Sequence, residues 1–137
     1  MTRLLVATDL SERTRAAERR AASIARDKGW ELDLVHAVDD DQPAGVVEAH
    51  RAAADAMLSA ACARLAAESG HPCAPRIILG DPSEALATAA EGDAAIVLGP
   101  HRRRLIRDIF VGTTGERVIR AATAPVLNVH AEPAAPY

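Results

Sequence analysis

The chain has 137 residues, a length typical of one domain with its own hydrophobic core. Nearly half of its residues are hydrophobic, only one Trp, one Tyr and one Phe are aromatic, and the formal net charge is −3. This balance argues against a polyanion-binding protein, and no apolar run approaches the roughly 18 residues that a membrane-spanning helix needs. We therefore expect a single cytoplasmic domain over residues 1–137, with a core at about 3–130 and a short tail at 131–137.

Apolar runs alternate with helical patterns along the chain. The first run ends at Thr8-Asp9, and the helix predicted after it, over residues 12–28, is capped by Ser11 and stopped by Gly29. Strand, helix and strand at this spacing predict parallel strands joined by right-handed crossovers. The predicted strands cover residues 3–8, 30–38, 74–79, 94–98 and 126–129. The sequence therefore predicts an open α/β sheet that is mostly parallel, with helices on both faces.

Two of these elements have informative side-chain patterns. A second helix over residues 45–69 has apolar residues at three-and-four spacing, which predicts one buried face: Val47, Ala54, Met57, Leu58, Ala61 and Leu65. In the second strand, four residues alternate with their neighbours Glu31, Asp33, Val35 and Ala37: Leu32, Leu34, His36 and Val38.

Two later helices begin with clear capping residues. Asp81 is the predicted N-cap of a helix over residues 82–90, with Pro82 in its first position and Glu84 closing a capping box. Gly112 and Thr113 precede another helix, where Thr113 and Glu116 form a T-x-x-E capping box. A glycine and hydroxyls at a helix start either cap that helix or also hold phosphate, and the residues alone leave both interpretations open.

Several other chemistries have little support in the sequence. Cys62 and Cys73 lack paired C-x-x-C spacing, so we expect two unpaired thiols. The acidic residues 39–41 are typical of a surface loop, and no dedicated metal ligand set is present. His101 has no nucleophile and orienting partner in a recognisable pattern, so we expect no enzyme activity. The basic residues at 102–107 lack interleaved aromatic residues, so we expect no nucleic-acid binding.

Four segments together resemble the universal stress protein family: the opening Val-Ala-Thr-Asp-x-Ser at residues 6–11, Ile-Val-Leu-Gly at residues 96–99, Gly-Thr-Thr-Gly-Glu-Arg-Val-Ile-Arg at residues 112–120, and Ala-Pro-Val-Leu-Asn-Val at residues 124–129. Nucleotide-binding members of that family carry G-x-x-G-x9-G-[S/T]. Gly99 and the pair Gly112-Thr113 match this frame, but Arg102 stands at the second glycine position.

The resemblance implies a Rossmann-like sheet, similar to that of the adenine nucleotide alpha hydrolases, with strand order 3-2-1-4-5. Ligands bind such sheets where the order reverses, here between strands 1 and 4. The resemblance places Asp9 by an adenine ring, with Val35 and His36 bordering the base, and ATP or AMP as the ligand, with Mg²⁺ only alongside the nucleotide. An alternative is that Asp9 merely caps the next helix. The implied phosphate-side residues are Gly99, Arg102, Gly112, Thr113 and Thr114.

Two functions remain open at this point. Arginine at position 102 either closes the phosphate site or replaces backbone contacts with guanidinium contacts. The chain is thus a non-catalytic stress-response protein that binds nucleotide, or an interaction module of the same fold with a degenerate site and a protein partner that the sequence does not identify. The resemblance also implies a homodimer through the fifth strand, with Val126, Leu127 and Val129 at the interface.

Overall fold

The helices and strands alternate along the chain in a computed structural model that describes residues 2–90, 94–99 and 126–128. A short 3₁₀ turn, Glu12–Thr14, precedes the first helix. The helices are α1 (Arg15–Lys28), α2 (Ala44–Ser69) and α3 (Pro82–Ala89). The strands are β1 (Arg3–Ala7), β2 (Glu31–Val38), β3 (Ala74–Leu79), β4 (Ala94–Leu98) and β5 (Val126–Asn128).

The five described strands form one sheet in the order β3-β2-β1-β4-β5, and every pairing is parallel. Leu4 of β1 is in register with Leu32 of β2 on one side and with Ala95 of β4 on the other. The chain therefore moves outward from β1 in one direction and then returns to extend the sheet in the other. This confirms the expected α/β fold and places a topological switch point between β1 and β4.

Both faces of the sheet are covered, because β1 is buried along most of its length on each side. Leu4 and Val6 belong to a core with α1 and α2, whereas Leu5 and Ala7 belong to a second core with α3. Such two-sided burial explains why β1 and β4 are continuous apolar runs rather than alternating patterns.

The helix ends largely follow the predicted capping chemistry. Gly29 has φ 70° after α1, a left-handed conformation that glycine adopts without steric cost, and Asp81 accepts a hydrogen bond from the Glu84 backbone N–H at 3.2 Å. Ser11 is an N-cap as predicted, but the element that it caps begins as a 3₁₀ turn, in which its side chain accepts from the Arg13 N–H. The helix predicted from residue 12 therefore becomes α-helical only at Arg15.

Two side chains lie elsewhere than their patterns suggest. Met57 is 55% exposed, because the buried stripe of α2 runs through Ala54, Leu58, Ala61, Cys62 and Leu65 and leaves Met57 on its flank. Val35 is buried even though it alternates with the Leu32–Leu34 face, because the opposite face of β2 is covered by the second core. The periodicity of the sequence alone therefore does not predict the burial of either side chain.

Some predictions lie outside the described residues, namely the helix after Gly112, its Thr113 cap and the tail at 131–137. Within the described part of the chain, no helix combines the length and the apolar character that crossing a membrane requires.

Candidate functional site

The candidate site lies where β1 and β4 end. Val6 of β1 is in register with Val97 of β4, and Thr8 and Gly99 each follow two residues later. Because the strands are parallel, their carboxyl ends meet at one edge of the sheet, and Asp9 follows immediately in the loop toward α1. The structure therefore brings Asp9 and Gly99 to the same end of the switch point.

Asp9 has two carboxylate oxygens in different situations. Its Oδ1 accepts hydrogen bonds from the Ser11 N–H at 2.9 Å, the Ser11 hydroxyl at 2.5 Å and the Thr14 hydroxyl at 3.2 Å. Its Oδ2 lies 3.1 Å from an Arg13 guanidinium nitrogen, but this ion pair lacks hydrogen-bond geometry. Oδ2 is shielded from solvent and accepts no hydrogen bond from the residues that the structure describes. It is the kind of buried acceptor that requires an explanation.

The same contacts determine the charge of Asp9. Burial alone would raise the pKa of its carboxyl group, but the hydrogen bonds from the Ser11 hydroxyl and N–H and from Thr14, together with the Arg13 charge, hold the pKa below its ordinary value. Asp9 is therefore an anion at neutral pH, and its Oδ2 atom can accept a hydrogen bond from a ligand.

The loop that carries Asp9 is conformationally strained at the next residue. Leu10 has φ 64°, a left-handed conformation that is unusual for a residue with a branched side chain. Its N–H donates to the Thr8 hydroxyl at 3.0 Å, and its side chain packs against the α1/α2 core. These two contacts hold the chain in the sharp turn that aims Asp9.

His36 and Val35 approach the site from β2, and both contact Thr8, the residue that follows β1. His36 Nδ1 lies 2.9 Å from the Thr8 carbonyl oxygen, and because a carbonyl only accepts, Nδ1 carries the hydrogen. The Thr8 N–H donates to the Val35 carbonyl at 2.8 Å. The Val35 side chain, however, is buried in the α3 core. Thr8, the residue directly before Asp9, is thus hydrogen-bonded to both β2 positions.

Gly99 is in close contact with α1. A Cβ at this position would lie 2.9 Å from the Ala17 Cβ and 3.5 Å from the Thr14 Cα. Glycine is therefore required here by the packing of β4 on α1, independently of any bound ligand.

Beneath Asp9 lies a polar cluster that the sequence prediction missed. The hydroxyls of Thr8 and Thr14 are 3.0 Å apart, and they lie 3.2 and 2.9 Å from Glu18 Oε2. All three side chains are buried, Glu18 being only 4% exposed. The sequence feature that could have indicated this cluster is the pair Thr14 and Glu18, which are four residues apart among the small residues that face the sheet. We name Thr8, Thr14 and Glu18 the hydroxyl–carboxylate cluster.

The burial of Glu18 affects its protonation. Burial raises the pKa of this carboxyl group above its ordinary value, while the hydrogen bonds from Thr14 and Thr8 and the charges of Arg64 and Arg15 oppose the shift only in part. Thr14 connects this group to the site, because its hydroxyl also lies within hydrogen-bonding distance of Asp9. The cluster therefore supports the Asp9 loop from inside the fold.

The remaining predicted site residues, Arg102, Gly112, Thr113 and Thr114, lie outside the described residues. Among those that are described, no group of three or more His, Cys, Asp or Glu side chains is placed to hold a metal ion.

One groove lies apart from this site. It has a volume of about 380 Å³ and runs between the end of β3 and α3, with Arg76, Gly80, Glu84 and Thr88 among its lining residues. None of the residues predicted to bind nucleotide lines it, so we do not assign the candidate site there.

Comparison with known proteins agrees with this geometry. The model of the universal stress protein family matches residues 1–130. The chain belongs to the universal stress protein family. Among curated proteins, no sequence gives a significant match.

Solved structures of family members show the same fold. A universal stress protein family member from Burkholderia pseudomallei is 31% identical, with a TM-score of 0.68 over 93% of this chain and 95% of that one. The Archaeoglobus fulgidus universal stress protein in complex with dAMP is 26% identical, with a TM-score of 0.63 over 93% and 97% of the two chains. A universal stress protein in complex with cAMP is 25% identical, with a TM-score of 0.64 over 96% and 98%. Nucleotide binding thus occurs among the structural relatives of this chain.

Proposed function

We propose that this universal stress protein is a non-catalytic, cytoplasmic stress-response module, one domain over residues 1–137, that binds an adenine nucleotide at the carboxyl ends of β1 and β4. The observation that carries the proposal is Asp9 Oδ2, a buried, negatively charged acceptor at the switch point that accepts no hydrogen bond from the described residues. A ligand that donates a hydrogen bond to Oδ2 would satisfy this atom. The complexes of family members with dAMP and cAMP support an adenine ring as that ligand.

In the orientation that we propose, the C6 edge of the purine faces Asp9 Oδ2; a carboxylate also accepts from the N1–H and amino groups of guanine, so the discrimination depends on this orientation. Adenine carries an exocyclic amino group that donates hydrogen bonds, whereas guanine and hypoxanthine carry a carbonyl oxygen at the same ring position. A carbonyl oxygen facing Oδ2 would place two acceptors together and leave Oδ2 without a hydrogen-bond donor, which disfavours binding of guanine and hypoxanthine in this orientation. We assign Val35 and His36 to the border of the base, since both reach the residue next to Asp9.

We assign the phosphate side of the ligand to the residues of the glycine motif. Gly99 follows β4 at the switch point, and we propose that Gly112, Thr113, Thr114 and the Arg102 guanidinium meet the phosphates of ATP or AMP. Mg²⁺ enters this proposal only together with the nucleotide, because phosphate oxygens supply most of its ligands in such sites.

Calorimetric titration with AMP and with ATP and Mg²⁺ tests the proposal. The informative variant is Asp9→Asn, which keeps an oxygen for the Ser11 and Thr14 donors but replaces the other carboxylate oxygen with a donor. We expect a loss of adenine nucleotide affinity of at least about tenfold, because a charged hydrogen bond contributes roughly 1.5–3 kcal/mol. Asp41→Asn, at an exposed position of the loop before α2, is the matched control and should bind as the unmodified chain does.

The purine series makes the test specific to the base. IMP and GMP should bind far more weakly than AMP, and the difference should shrink in Asp9→Asn. Equal affinity for the three nucleotides, or full AMP affinity in Asp9→Asn, would exclude Asp9 as the base-reading residue. No heat with any nucleotide at millimolar concentration would leave the second candidate function.

That second candidate is a homodimeric interaction module of the same fold whose nucleotide site is degenerate. The observation that favours it is Leu127, whose side chain is 44% exposed on the edge strand β5. Among the described strands none pairs with the outer side of β5, and an apolar residue on such an edge favours pairing with another strand. We propose that Val126, Leu127 and Val129 form this contact across a two-fold axis, and that a further protein partner reads the state of the dimer.

A further inference from the structure

Two cysteines that are separated in the sequence meet in the fold. Cys62 lies in the second half of α2, and Cys73 immediately precedes β3. Their Sγ atoms are 3.1 Å apart. Since a disulfide bond is about 2.0 Å long, the two sulfurs need to approach by only about 1 Å.

The surrounding contacts keep these thiols together. Cys62 is 4% exposed within the α1/α2 core, and Cys73 is half-buried against the same core. The turn between them is anchored at His71, whose Nε2 is 2.8 Å from the Trp30 carbonyl oxygen, and at Ser69, whose carbonyl oxygen accepts from Arg26 at 3.2 Å. The close approach of the sulfurs thus belongs to an ordered segment of the fold.

The two thiols also alter each other's acidity. The hydrogen bond from the Cys73 thiol lowers the pKa of Cys62, against the opposing effects of burial and of the Glu18 and Asp33 charges. The same hydrogen bond, with burial, raises the pKa of Cys73 well above its usual range. The hydrogen bond therefore favours ionisation of Cys62 over ionisation of Cys73, and a Cys62 thiolate would lie beside the Cys73 thiol, which is the arrangement that thiol oxidation uses.

We propose that Cys62 and Cys73 form a redox site that a peroxide oxidises to an intramolecular disulfide. The ionised sulfur attacks one peroxide oxygen, the O–O bond breaks, and the leaving hydroxide becomes water by taking up a proton, which leaves a sulfenic acid. The neighbouring sulfur then attacks the sulfenic sulfur, the S–O bond breaks, and a second water leaves with the thiol proton. In sum, two thiols and one hydrogen peroxide give one disulfide and two waters, with two electrons passing from sulfur to oxygen.

The disulfide would link α2 covalently to Cys73, directly before the edge strand β3. It closes the loop of residues 62–73, which restricts the unfolded chain more than the folded one and thereby stabilises the fold. Oxidation would thus convert a chemical signal into a change in the stability of one sheet edge. This inference does not depend on nucleotide binding, because neither cysteine belongs to the Asp9 site.

The test treats the full chain with hydrogen peroxide under denaturant-free conditions and follows intact mass, non-reducing peptide maps and thermal unfolding. We expect a mass loss of about 2 Da from removal of two hydrogens and a cross-linked peptide pair containing Cys62 and Cys73. We also expect a rise in the unfolding midpoint of roughly 5–10 °C, reversed by dithiothreitol. Cys73→Ser should lose all three responses.

Three results would contradict the proposed disulfide. Stepwise mass gains of about 16 Da at either cysteine without cross-linking, a disulfide between two chains, or thiols that stay reduced would each overturn the proposal. Cys62→Ala is the second variant, chosen because alanine fits a helix core, and its unfolding midpoint should not respond to peroxide. If one variant does not fold, the unmodified chain and the other variant still distinguish these results.

Discussion

The backbone of Gly99 lies so close to Ala17 that a side chain at position 99 would bring its Cβ within 2.9 Å of the Ala17 Cβ. This contact joins the end of β4 to the buried face of α1, beneath the Asp9 loop. The first glycine of the nucleotide motif therefore has a packing function of its own. Its presence alone is not an argument that a phosphate binds.

This contact predicts that Gly99→Ala destabilises the protein even without ligand. The added methyl group forces β4 and α1 apart, which in a packed core costs about 1–3 kcal/mol of unfolding free energy. Gly45→Ala is the control, because the added Cβ meets nothing within 4 Å at the start of α2 and alanine favours the helix. Chemical denaturation measures both, and equal midpoints for the two variants would contradict the packing argument.

The hydroxyl of Thr14 is predicted to matter more than its methyl group. Thr14→Val keeps the shape but leaves the Glu18 carboxylate with one donor fewer, and we expect a loss of about 1–3 kcal/mol in unfolding free energy. Thr14→Ser keeps the hydroxyl, so its smaller loss should be that of one methyl group, about 1 kcal/mol. Denaturant titrations of both variants give the comparison. A larger loss in Thr14→Ser would mean that packing, and not the hydrogen bonds, dominates here.

Glu18 is predicted to make stability fall as pH rises. Its pKa in the folded protein lies above the unfolded value near 4.5, so the folded state holds more protons between the two pKa values. The stabilising contribution is thus complete below the unfolded pKa and is lost as pH rises through the folded pKa. Glu18→Gln removes this titration, so the unfolding free energy of the variant minus that of the unmodified chain should increase from pH 4.5 upward.

Glu48, a carboxylate on the surface of α2, is the control for the pH dependence of Glu18→Gln, because its pKa is shifted in the opposite direction. The hydrogen bond and charge of Arg51 lower the pKa of Glu48, so the stability it contributes is present above its unfolded pKa and is lost as pH falls. Glu48→Gln should therefore show a difference from the unmodified chain that runs in the other direction. Urea denaturation at a series of pH values measures both. A Glu18→Gln difference that does not change with pH would show that Glu18 titrates as it does in the unfolded chain.

The proposed dimer predicts that Leu127→Lys yields monomers. A charge on an edge strand opposes edge-to-edge pairing, because a lysine in the interface would be buried without a partner. Met57→Lys is the matched control, since Met57 is also a large, exposed apolar residue but lies on α2. Sedimentation velocity at micromolar concentration distinguishes the two variants. A dimer that survives Leu127→Lys would place the interface on another surface.

The fold was predictable from the sequence wherever buried runs and capping residues acted locally. The bounds of β3 and β4 and the Asp81 cap agree with the predictions, because each depends on neighbouring residues only. Strand order came from the family resemblance and is confirmed. The prediction that Met57 is buried was wrong, because three-and-four spacing identifies an apolar stripe on a helix but not the residue at its centre. In α2 that residue is Leu58.

The site was predictable only in part, because its organisation depends on residues that meet across the fold. The resemblance marked Asp9 and His36, and the structure joins them through Thr8. It did not reveal the Thr14–Glu18 hydrogen bond or the packing of Gly99, since periodic patterns carry no information about a polar group placed inside a core. The contact between Cys62 and Cys73 was missed for a similar reason: the turn from α2 into β3 creates it, and sequence spacing does not.

The strained Leu10 has a consequence for the kinetics of recognition. Because the turn is fixed by the Thr8 hydroxyl and by the packing of the half-buried Leu10 side chain on the core, the Asp9 carboxylate is oriented before any ligand arrives. A molecule that binds Asp9 therefore encounters a rigid template and does not have to order this loop. Its association rate on this side of the site should be limited by diffusion and collision geometry, and variants that loosen the turn should slow binding without removing a single ligand contact.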